Sequence, residues 1–444
     1  MAESATQALS ESLAQSQWWS ADDIEAVQTR LLERLARHAR EHVPFYVKRL
    51  DPLFTRRGHF NIGGWDEVEP LTRNDILESF EDLKARSLPA EAGRVGVVST
   101  SGSTGAPVKV LKCKIQSRVS ITASVRFMDW HSVDYTRSFA AIRAFTPGKA
   151  EYPDGYVHTG RWGANWRDIP NHGSWCDLSI STPPKLQLEW LQRMGPCYLN
   201  TFPVNILALA DTLEQNPQLK PDVHGIVTLG EMVKAEHRQR AHDILSARIF
   251  DQYTTIECGV IAGECPVSGQ MHLQAEQMRL DVLDAESEPC AIGQEGFACL
   301  TPLYSYAMPL IKYVMSDLVT LLPPCSCSRG LPHFSIAGGR LRSRFRFSDG
   351  MVLAPDFKMS NNAPILGATR WQWAQVGPEE LELRFVSSRT VSAADYEAMR
   401  AIVLNTLKRP VTVRFVKRDE MPLAPSGKHF DYVCELPDIA DGST

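Results

Sequence analysis

The feature that most constrains the fold is an alternation of apolar strands and helices between residues 204 and 253. Residues 204–215 and 232–245 have the pattern of helices. Residues 226–229 and 248–253 have the pattern of strands that are buried on both faces. Strands that alternate with helices predict an α/β domain whose strands are buried by the helices.

A second region with a different character follows Gly350. The pattern predicts a strand over 381–386, a helix over 393–407 and a strand over 411–416. These roughly 100 residues suffice for a small α+β domain, and a chain of 444 residues is longer than one core usually needs. We place the domain boundary near Ser343.

The N-terminal region combines a polar segment with an amphipathic one. Residues up to about 20 are rich in Ser and Ala, and they predict a loose tail. Apolar residues then recur from Ile24 to Ala39 at helical spacing, with Ser20 as a helix cap and Pro44 as the stop.

A glycine-containing loop from Thr100 to Lys109 joins two predicted strands. Its glycines let the backbone approach an anion, its hydroxyls and amide groups offer donors, and Lys109 adds charge. The sequence is not a Walker A loop, because the spacing of that motif is absent. A flexible surface turn is the alternative interpretation. The loop residues predicted to bind a nucleotide are Ser101, Gly102, Ser103, Thr104, Gly105 and Lys109.

Together with five further motifs, this loop resembles the acyl-adenylate-forming superfamily. The motifs occur in the family's order: Gly230-Glu231, Tyr253-Thr-Thr-Ile-Glu257, Lys312-Tyr-Val-Met-Ser-Asp317, Gly339-Arg340 with Gly350 and Pro355, and Pro425-Ser-Gly-Lys428. Residues 38–46 and 70–75 resemble the phenylacetate–CoA ligase branch, which includes the capsule-biosynthesis adenylating proteins.

The resemblance implies an α/β fold with two domains. Residues 1–342 would form an N-terminal adenylation domain that binds ATP and the acid, and residues 343–444 a mobile C-terminal α+β lid. It implies a ligase that converts a carboxylic acid into an acyl-AMP and transfers the acyl group to coenzyme A or a carrier-protein pantetheine. The alternatives are transfer to an amine or hydroxyl in natural-product or polysaccharide assembly, and a nucleotide binder without turnover.

The resemblance also assigns roles to individual residues. Lys428 would reduce the repulsion between the carboxylate and the α-phosphate, as a mobile ammonium can. Glu257 would bind the Mg²⁺ that accompanies ATP. Asp317 would accept hydrogen bonds from the ribose hydroxyls, Tyr253 would lie against adenine, and Arg340 would contact ribose or phosphate. The nucleotide-binding set is completed by Gly230, Glu231 and Thr254.

Several positions depart from the family's motifs. Thr254 replaces a glycine, Ile256 replaces a Thr or Ser, Ser316 replaces a glycine, and Ser343 stands at a hinge position that is commonly Asp. Ile256 removes a hydroxyl near the α-phosphate. Because of these changes, a nucleotide-binding homologue without catalytic activity is an alternative interpretation.

Four further residues have the chemistry of a zinc site. Cys265 and His272 are seven residues apart, and Cys325 and Cys327 are two apart. Three thiolates and an imidazole suit a structural Zn²⁺ site, and some relatives in the branch carry a similar set. The alternative is a group of unrelated core cysteines and a surface histidine. Cys258 is a spare candidate ligand.

Three tryptophans cluster between residues 156 and 180. Trp162, Trp166 and Trp175 could form aromatic walls around a flat aryl acid. Core packing or a subunit interface is the alternative interpretation, and the oligomeric state is left open, with a homodimer among the options.

The composition points to a cytoplasmic protein that binds neither nucleic acid nor a membrane. The formal net charge is −5, and the one run of alternating arginines, at 340–346, fits the face of a strand. We expect no signal peptide and no apolar stretch of membrane-spanning length. We expect the ten cysteines to be free thiols or metal ligands.

Overall fold

The structure is a computed structural model that describes residues 2–99, 107–164, 166–167, 169–340, 345–353, 357, 359–421 and 431–436. The helices are α1 Ala2–Ser16, α2 Ala21–His42, α3 Tyr46–Arg49, α4 Arg73–Glu78, α5 Lys114–Trp130, α6 Pro184–Met194, α7 Pro203–Gln215, α8 Ala235–Asp243, α9 Met359–Leu366 and α10 Ala393–Leu407.

The strands of the first part are β1 Val95–Ser99, β2 Lys109–Cys113, β3 Ser138–Arg143, β4 Tyr156–Val157, β5 Trp175–Ser179, β6 Cys197–Thr201, β7 Val223–Thr228, β8 Arg248–Phe250, β9 Gln252–Thr255, β10 Gly259–Glu264 and β11 Met271–Leu273. They continue with β12 Met278–Leu283, β13 Glu295–Pro302, β14 Tyr313–Leu322, β15 His333–Arg340, β16 Phe345–Arg346, β17 Val352–Leu353, β18 Ala368–Gly377, β19 Glu380–Ser387, β20 Thr412–Arg418 and β21 Tyr432–Cys434.

The chain divides into two compact units, the first ending at Ala337 and the second beginning at Gly338. The division falls a few residues before the predicted boundary after residue 342. Ser343 itself lies outside the described residues. The first unit is α/β and the second is α+β, so the predicted fold class is confirmed.

A largely parallel sheet forms one layer of the first unit. Its order in the described residues is β4-β5-β3-β6-β7-β8, with only β4 antiparallel to its neighbour. One face of the sheet is covered by α6, α7 and α8, and apolar residues such as Leu199, Leu209 and Ile226 fill the space between them. This layer is the α/β domain that the alternation of residues 204–253 predicts, and α7 and β7 lie where that pattern puts them.

The second layer of the first unit is an antiparallel sheet that curls strongly. Its order in the described residues is β12-β13-β14-β15-β11-β10-β9. Three strands separate β9 from β14, yet Tyr253 on β9 contacts Asp317 on β14. A flat sheet would hold these strands about 19 Å apart at the usual strand spacing of about 4.8 Å, so the curl is what brings them together.

The close packing of α5 on this sheet depends on Gly263 in β10. A Cβ at Gly263 would lie 2.3 Å from the ring of Phe127 on α5. Phe127 is fully buried, so it has little freedom to move away.

Strands β1 and β2 pair directly, and the predicted phosphate-binding loop connects them in the sequence. The hairpin is antiparallel, with Ser99 opposite Lys109 and Val95 opposite Cys113. The prediction that the loop joins two strands is therefore confirmed. Residues 100–106 lie outside the described residues.

The N-terminal residues form a helix rather than the loose tail that the sequence predicts. Helix α1 contacts α5, where Arg126 donates a hydrogen bond of 3.0 Å to the carbonyl oxygen of Leu13. The Ser16 hydroxyl bonds to Glu276, which is in turn paired with Arg126 at 2.7 Å. The prediction is wrong because the contacts that hold α1 are polar and involve residues far away in the sequence. Helix α1 therefore carries little apolar periodicity from which it could be predicted.

Helix α2 follows its predicted pattern closely. It begins after Ser20, whose hydroxyl accepts a hydrogen bond from the Asp23 amide, and it ends at His42 before Pro44. Among the described residues, none of the helices combines the length and apolarity that crossing a membrane requires.

The second unit is built on a four-stranded sheet with the order β20-β19-β18-β21 in the described residues. Helix α10 spans the predicted residues and starts with a capping box between Ser392 and Asp395. Met399 and Val403 on α10 pack with Trp373 and Leu383 of the sheet in a separate core.

The buried Arg126–Glu276 pair generates a stability prediction. The Arg126 side chain is 4% exposed and that of Glu276 is 10% exposed. Burial alone would raise the pKa of Glu276, but the charge and hydrogen bonds of Arg126 hold that pKa below its usual range. We expect Arg126→Met to lower the free energy of unfolding by about 3 to 5 kcal/mol at neutral pH, because it leaves a buried carboxylate unpaired. Urea denaturation with a spectroscopic readout would measure the change.

The matched control is Arg37→Met in the exposed Arg37–Glu33 pair of α2, for which we expect about 0.5 kcal/mol or less. A carboxylate with a depressed pKa stabilises the fold above its unfolded pKa. The effect of Arg126→Met should therefore shrink as the pH falls below about 4.3. Equal losses for the two variants would contradict this account.

Candidate functional site

The carboxyl ends of the parallel strands form one edge of the sheet, where ligands of such folds bind. Strands β3, β5, β6, β7 and β8 all end at this edge. From the end of β8, the chain passes through Asp251 directly into β9, which carries Tyr253. The edge of the parallel sheet and the curled sheet therefore share one border, and several predicted site residues lie along it.

Tyr253 and Asp317 meet at this border. The Tyr253 hydroxyl donates a hydrogen bond of 2.7 Å to the Asp317 carboxylate. Asp317 is 7% exposed, and the Tyr253 ring is partly buried against Phe334. The bond orients the carboxylate, and an ionised carboxylate can accept several hydrogen bonds.

Glu257 lies in the turn between β9 and β10. The turn is fixed because the Thr255 hydroxyl accepts a hydrogen bond of 3.0 Å from the Cys258 amide. Gly259 follows with a φ of +87°, which a side chain would strain. Glu257 is 8% exposed, whereas the neighbouring Ile256 is 45% exposed, so the turn presents an apolar side chain where the family's motif has a hydroxyl.

Gly230 and Glu231 follow β7 at the same edge. Gly230 has a φ of +74°, which turns the chain sharply out of the strand. The Glu231 carboxylate accepts a hydrogen bond of 3.2 Å from the amide of Val204 in the first turn of α7. This helix has no side-chain cap from its own N-cap residue, so Glu231 supplies one.

Other predicted residues lie on strands β2, β9 and β15 or outside the described residues. Thr254 is partly buried within β9, and Lys109 is exposed on β2. Arg340 ends β15. Lys428 and the loop residues Ser101, Gly102, Ser103, Thr104 and Gly105 lie outside the described residues.

The four predicted metal ligands come together between β10, β11 and the segment after β14. The ligand atoms of Cys265, His272, Cys325 and Cys327 lie within 4.8 Å of one another. The Sγ atoms of Cys265 and Cys325 are 3.9 Å apart, and His272 Nε2 is 3.1 Å from Cys327 Sγ. Two thiolates bound to one tetrahedral Zn²⁺ would be about 3.8 Å apart, so the spacing fits that metal.

The surroundings of the cluster favour the metal-binding forms of His272 and Cys265. His272 Nδ1 lies 3.1 Å from the carbonyl oxygen of Leu331, which leaves Nε2 to face the cysteines. Burial lowers the pKa of His272 to about 4, so the imidazole is neutral at physiological pH. Burial acts to raise the pKa of Cys265, but hydrogen bonds from the Ser268 and Val267 amides outweigh it and lower that pKa. The thiolate is the form that binds metals.

The three tryptophans occupy different environments. Trp162 is 2% exposed, stacks on Phe139 with ring centroids 4.9 Å apart, and donates a hydrogen bond to the Arg137 carbonyl. Trp166 is partly buried. Trp175 is partly buried at the start of β5 and stacks on the His158 ring at 3.9 Å.

A polar network that the sequence does not reveal surrounds Asp177 on β5. Asp177 is 2% exposed and lies 2.7 Å from His158 Nε2. It also accepts hydrogen bonds from Trp175 Nε1 at 3.1 Å and from Arg143 at 3.4 Å. A buried acidic residue in an otherwise apolar strand is the signal that could have identified it. The network gives the wall around Trp175 and His158 a fixed geometry.

Comparisons with known proteins relate the chain to one group of enzymes. The sequence matches no protein-family profile. It is 26% identical over 325 residues to the phenylacetate–coenzyme A ligase of Aromatoleum evansii, covering 70% of this chain and 69% of the relative. It is 24% identical over 321 residues to the phenylacetate–coenzyme A ligase of Escherichia coli, covering 68% of each chain.

A solved structure shares the fold. The 2-hydroxyisobutyryl-CoA ligase, in the postadenylation state with 2-HIB-AMP, superposes with a TM-score of 0.72 at 19% identity. The match covers 95% of this chain and 93% of that one. The likeness therefore extends over both units of the fold.

Proposed function

This chain belongs to the acyl-adenylate-forming superfamily, and on that premise we propose that it is an ATP-dependent carboxylic acid ligase. It forms an acyl-AMP and transfers the acyl group to a thiol. The observation that carries the proposal is the hydrogen bond from Tyr253 to Asp317, beside the turn that bears Glu257. Three residues from two separate motifs thus lie along one border.

The nucleotide would be held by this group. Asp317, oriented by Tyr253, accepts hydrogen bonds from the two ribose hydroxyls. The Tyr253 ring lies against adenine, and Gly230 and Glu231 border it. Within the described parts of the chain, the nearly buried Glu257 carboxylate has no ion-pair partner, which fits a residue that binds Mg²⁺. Magnesium would neutralise charge on the phosphates.

Lys428 would supply the catalytic ammonium. Adenylation brings a carboxylate against the α-phosphate, and a positive charge at that point stabilises the transition state. We propose that residues 343–444 act as a mobile lid that delivers Lys428 and then moves for the transfer step. Forming the acyl-AMP first makes AMP the leaving group of that second step.

The acceptor that we propose is coenzyme A, because the sequence relatives are coenzyme A ligases. A carrier-protein pantetheine presents the same thiol and is the second option. The acid that we propose is an aryl acid, since the curated relatives are named for phenylacetate and the stacked Trp175 and His158 rings offer a flat wall. A homodimer is the oligomeric state that we would test first.

We also propose that Cys265, His272, Cys325 and Cys327 hold a structural Zn²⁺. Three thiolates and one imidazole fill a tetrahedral shell and leave no position for substrate. The cluster joins two chain segments that are about 60 residues apart in the sequence. Zinc here would stabilise the curled sheet and take no part in the reaction.

Acid-dependent exchange between ATP and pyrophosphate tests the central proposal. We expect exchange with Mg²⁺ and without a thiol for at least one member of a panel of aryl and aliphatic acids. Release of AMP should then require that acid together with coenzyme A. Tight ATP binding without exchange for any acid would contradict the proposal that the protein alone acts as an acid–thiol ligase. That result would favour transfer to an amine with a partner protein, or a homologue without turnover, as Ile256 and Ser343 allow.

Substitution at Asp317 tests the nucleotide site. We expect Asp317→Asn to raise the KM for ATP roughly 10- to 100-fold, because charge-assisted hydrogen bonds to the ribose are weakened. We expect Lys428→Ala to reduce kcat of the exchange about 100-fold or more while ATP still binds. The control is Asp211→Asn on the exposed face of α7, which should leave both parameters within about twofold. An unchanged KM in Asp317→Asn would remove this residue from the site.

Metal analysis tests the zinc proposal. We expect about one zinc per chain in the purified protein, and far less in Cys325→Ser. Cys290→Ser is the matched control, because Cys290 is a free cysteine outside the cluster. A strong chelator should lower the melting temperature of the wild type but not of Cys325→Ser. Full zinc content in Cys325→Ser would contradict the proposed ligands.

A further inference from the structure

The hairpin of β1 and β2 places its two lysines on opposite faces. Residues directly opposite each other share a face, and faces alternate along a strand. Lys112 lies opposite Gly96, on the same face as the pair Val98 and Val110. Val110 is 1% exposed and Lys112 is partly buried, so this face is turned toward the interior at these two positions.

Lys109 lies on the other face of the hairpin. It stands opposite Ser99 and shares that face with Leu111 and Val97, of which Val97 is 64% exposed. Lys109 is itself exposed. The lysine that the sequence assigns to the phosphate-binding loop is thus the one that faces solvent.

Lys112 extends toward the turn that carries Glu257. A Cβ built on Gly259 would lie 3.7 Å from Lys112 Nζ and 2.8 Å from the Ser120 hydroxyl. Gly259 is two residues after Glu257 and begins β10. The ammonium group therefore lies beside the turn between β9 and β10, within electrostatic range of the Glu257 carboxylate.

Within the described residues, the ammonium group of Lys112 lacks a partner. In the residues that the structure describes, it forms neither a hydrogen bond nor an ion pair, although the side chain is partly buried. Burial lowers the pKa of Lys112, and the neighbouring Cys258 and Glu257 oppose this shift only in part. A partly buried ammonium without an acceptor costs free energy, so an anionic ligand at this position would be favoured.

We propose that Lys112 contacts the phosphate chain of bound ATP. This inference rests on the proposed function and deepens it by naming a residue that the sequence motifs do not include. The strand that carries Lys112 continues directly from the predicted phosphate-binding loop. With Glu257 holding the cation and Lys112 beside it, a phosphate oxygen between them would have positive charge on two sides.

Equilibrium binding of MgATP and of adenosine tests the assignment. The proteins are the full-length wild type, Lys112→Met, Lys112→Arg and Lys109→Met. We expect Lys112→Met to weaken MgATP binding at least about tenfold and to leave adenosine binding within about twofold. Lys112→Arg should keep most of the affinity for MgATP, and Lys109→Met should lose less than Lys112→Met.

Three results would overturn the assignment while the wild type still binds MgATP. The first is an unchanged MgATP affinity in Lys112→Met. The second is an equal loss for MgATP and adenosine, which indicates a purely structural role. The third is a larger loss in Lys109→Met than in Lys112→Met. A wild type that binds no MgATP would instead reject the proposed function, and the inference with it.

Discussion

The curl of the antiparallel sheet is the constraint on which the site depends. Strands β9 and β14 are separated by three strands, and the hydrogen bond between Tyr253 and Asp317 can form only because the sheet bends back on itself. The curl is supported from inside by α5, whose Phe127 ring occupies the space left by Gly263. The carboxyl edge of the parallel sheet is connected to this curl through Asp251. A change in the packing of α5 would therefore be transmitted to the carboxylate of Asp317.

The sequence predicts the elements whose patterns are local. Helices α2 and α10 carry their caps and apolar spacing within their own residues, and both lie where the pattern puts them. The motifs also predict which residues belong to the site. They do not predict the distances, because Tyr253 and Asp317 meet only through a long-range fold. The polar network of Asp177 and the inward face of Lys112 are missed for the same reason. A strand pattern shows that residues alternate, but not which face turns inward.

The cysteine and histidine cluster shows how a long-range site can still be anticipated. The chemistry of Cys265, His272, Cys325 and Cys327 predicts a ligand set, although the sequence alone leaves unrelated core cysteines as an alternative. The structure brings the four ligand atoms within 4.8 Å, and it adds the Leu331 carbonyl that orients His272. That carbonyl belongs to the backbone, and a backbone group has no signature in the sequence. It is the part of the site that arises only when the chain is folded.

The docking of α1 has a consequence for the order in which the protein is made. The segment that ends α1 is held by residues far along the chain: Gln17 accepts a hydrogen bond of 2.9 Å from the Gly330 amide, and its side chain accepts one from Trp130. During synthesis, more than 300 residues separate the emergence of Gln17 from that of Gly330. At about 5 to 20 residues per second, the backbone contact of Gln17 waits roughly 15 to 60 seconds for Gly330. The nascent chain therefore completes the anchoring of Gln17 only when nearly all of the first unit has been made.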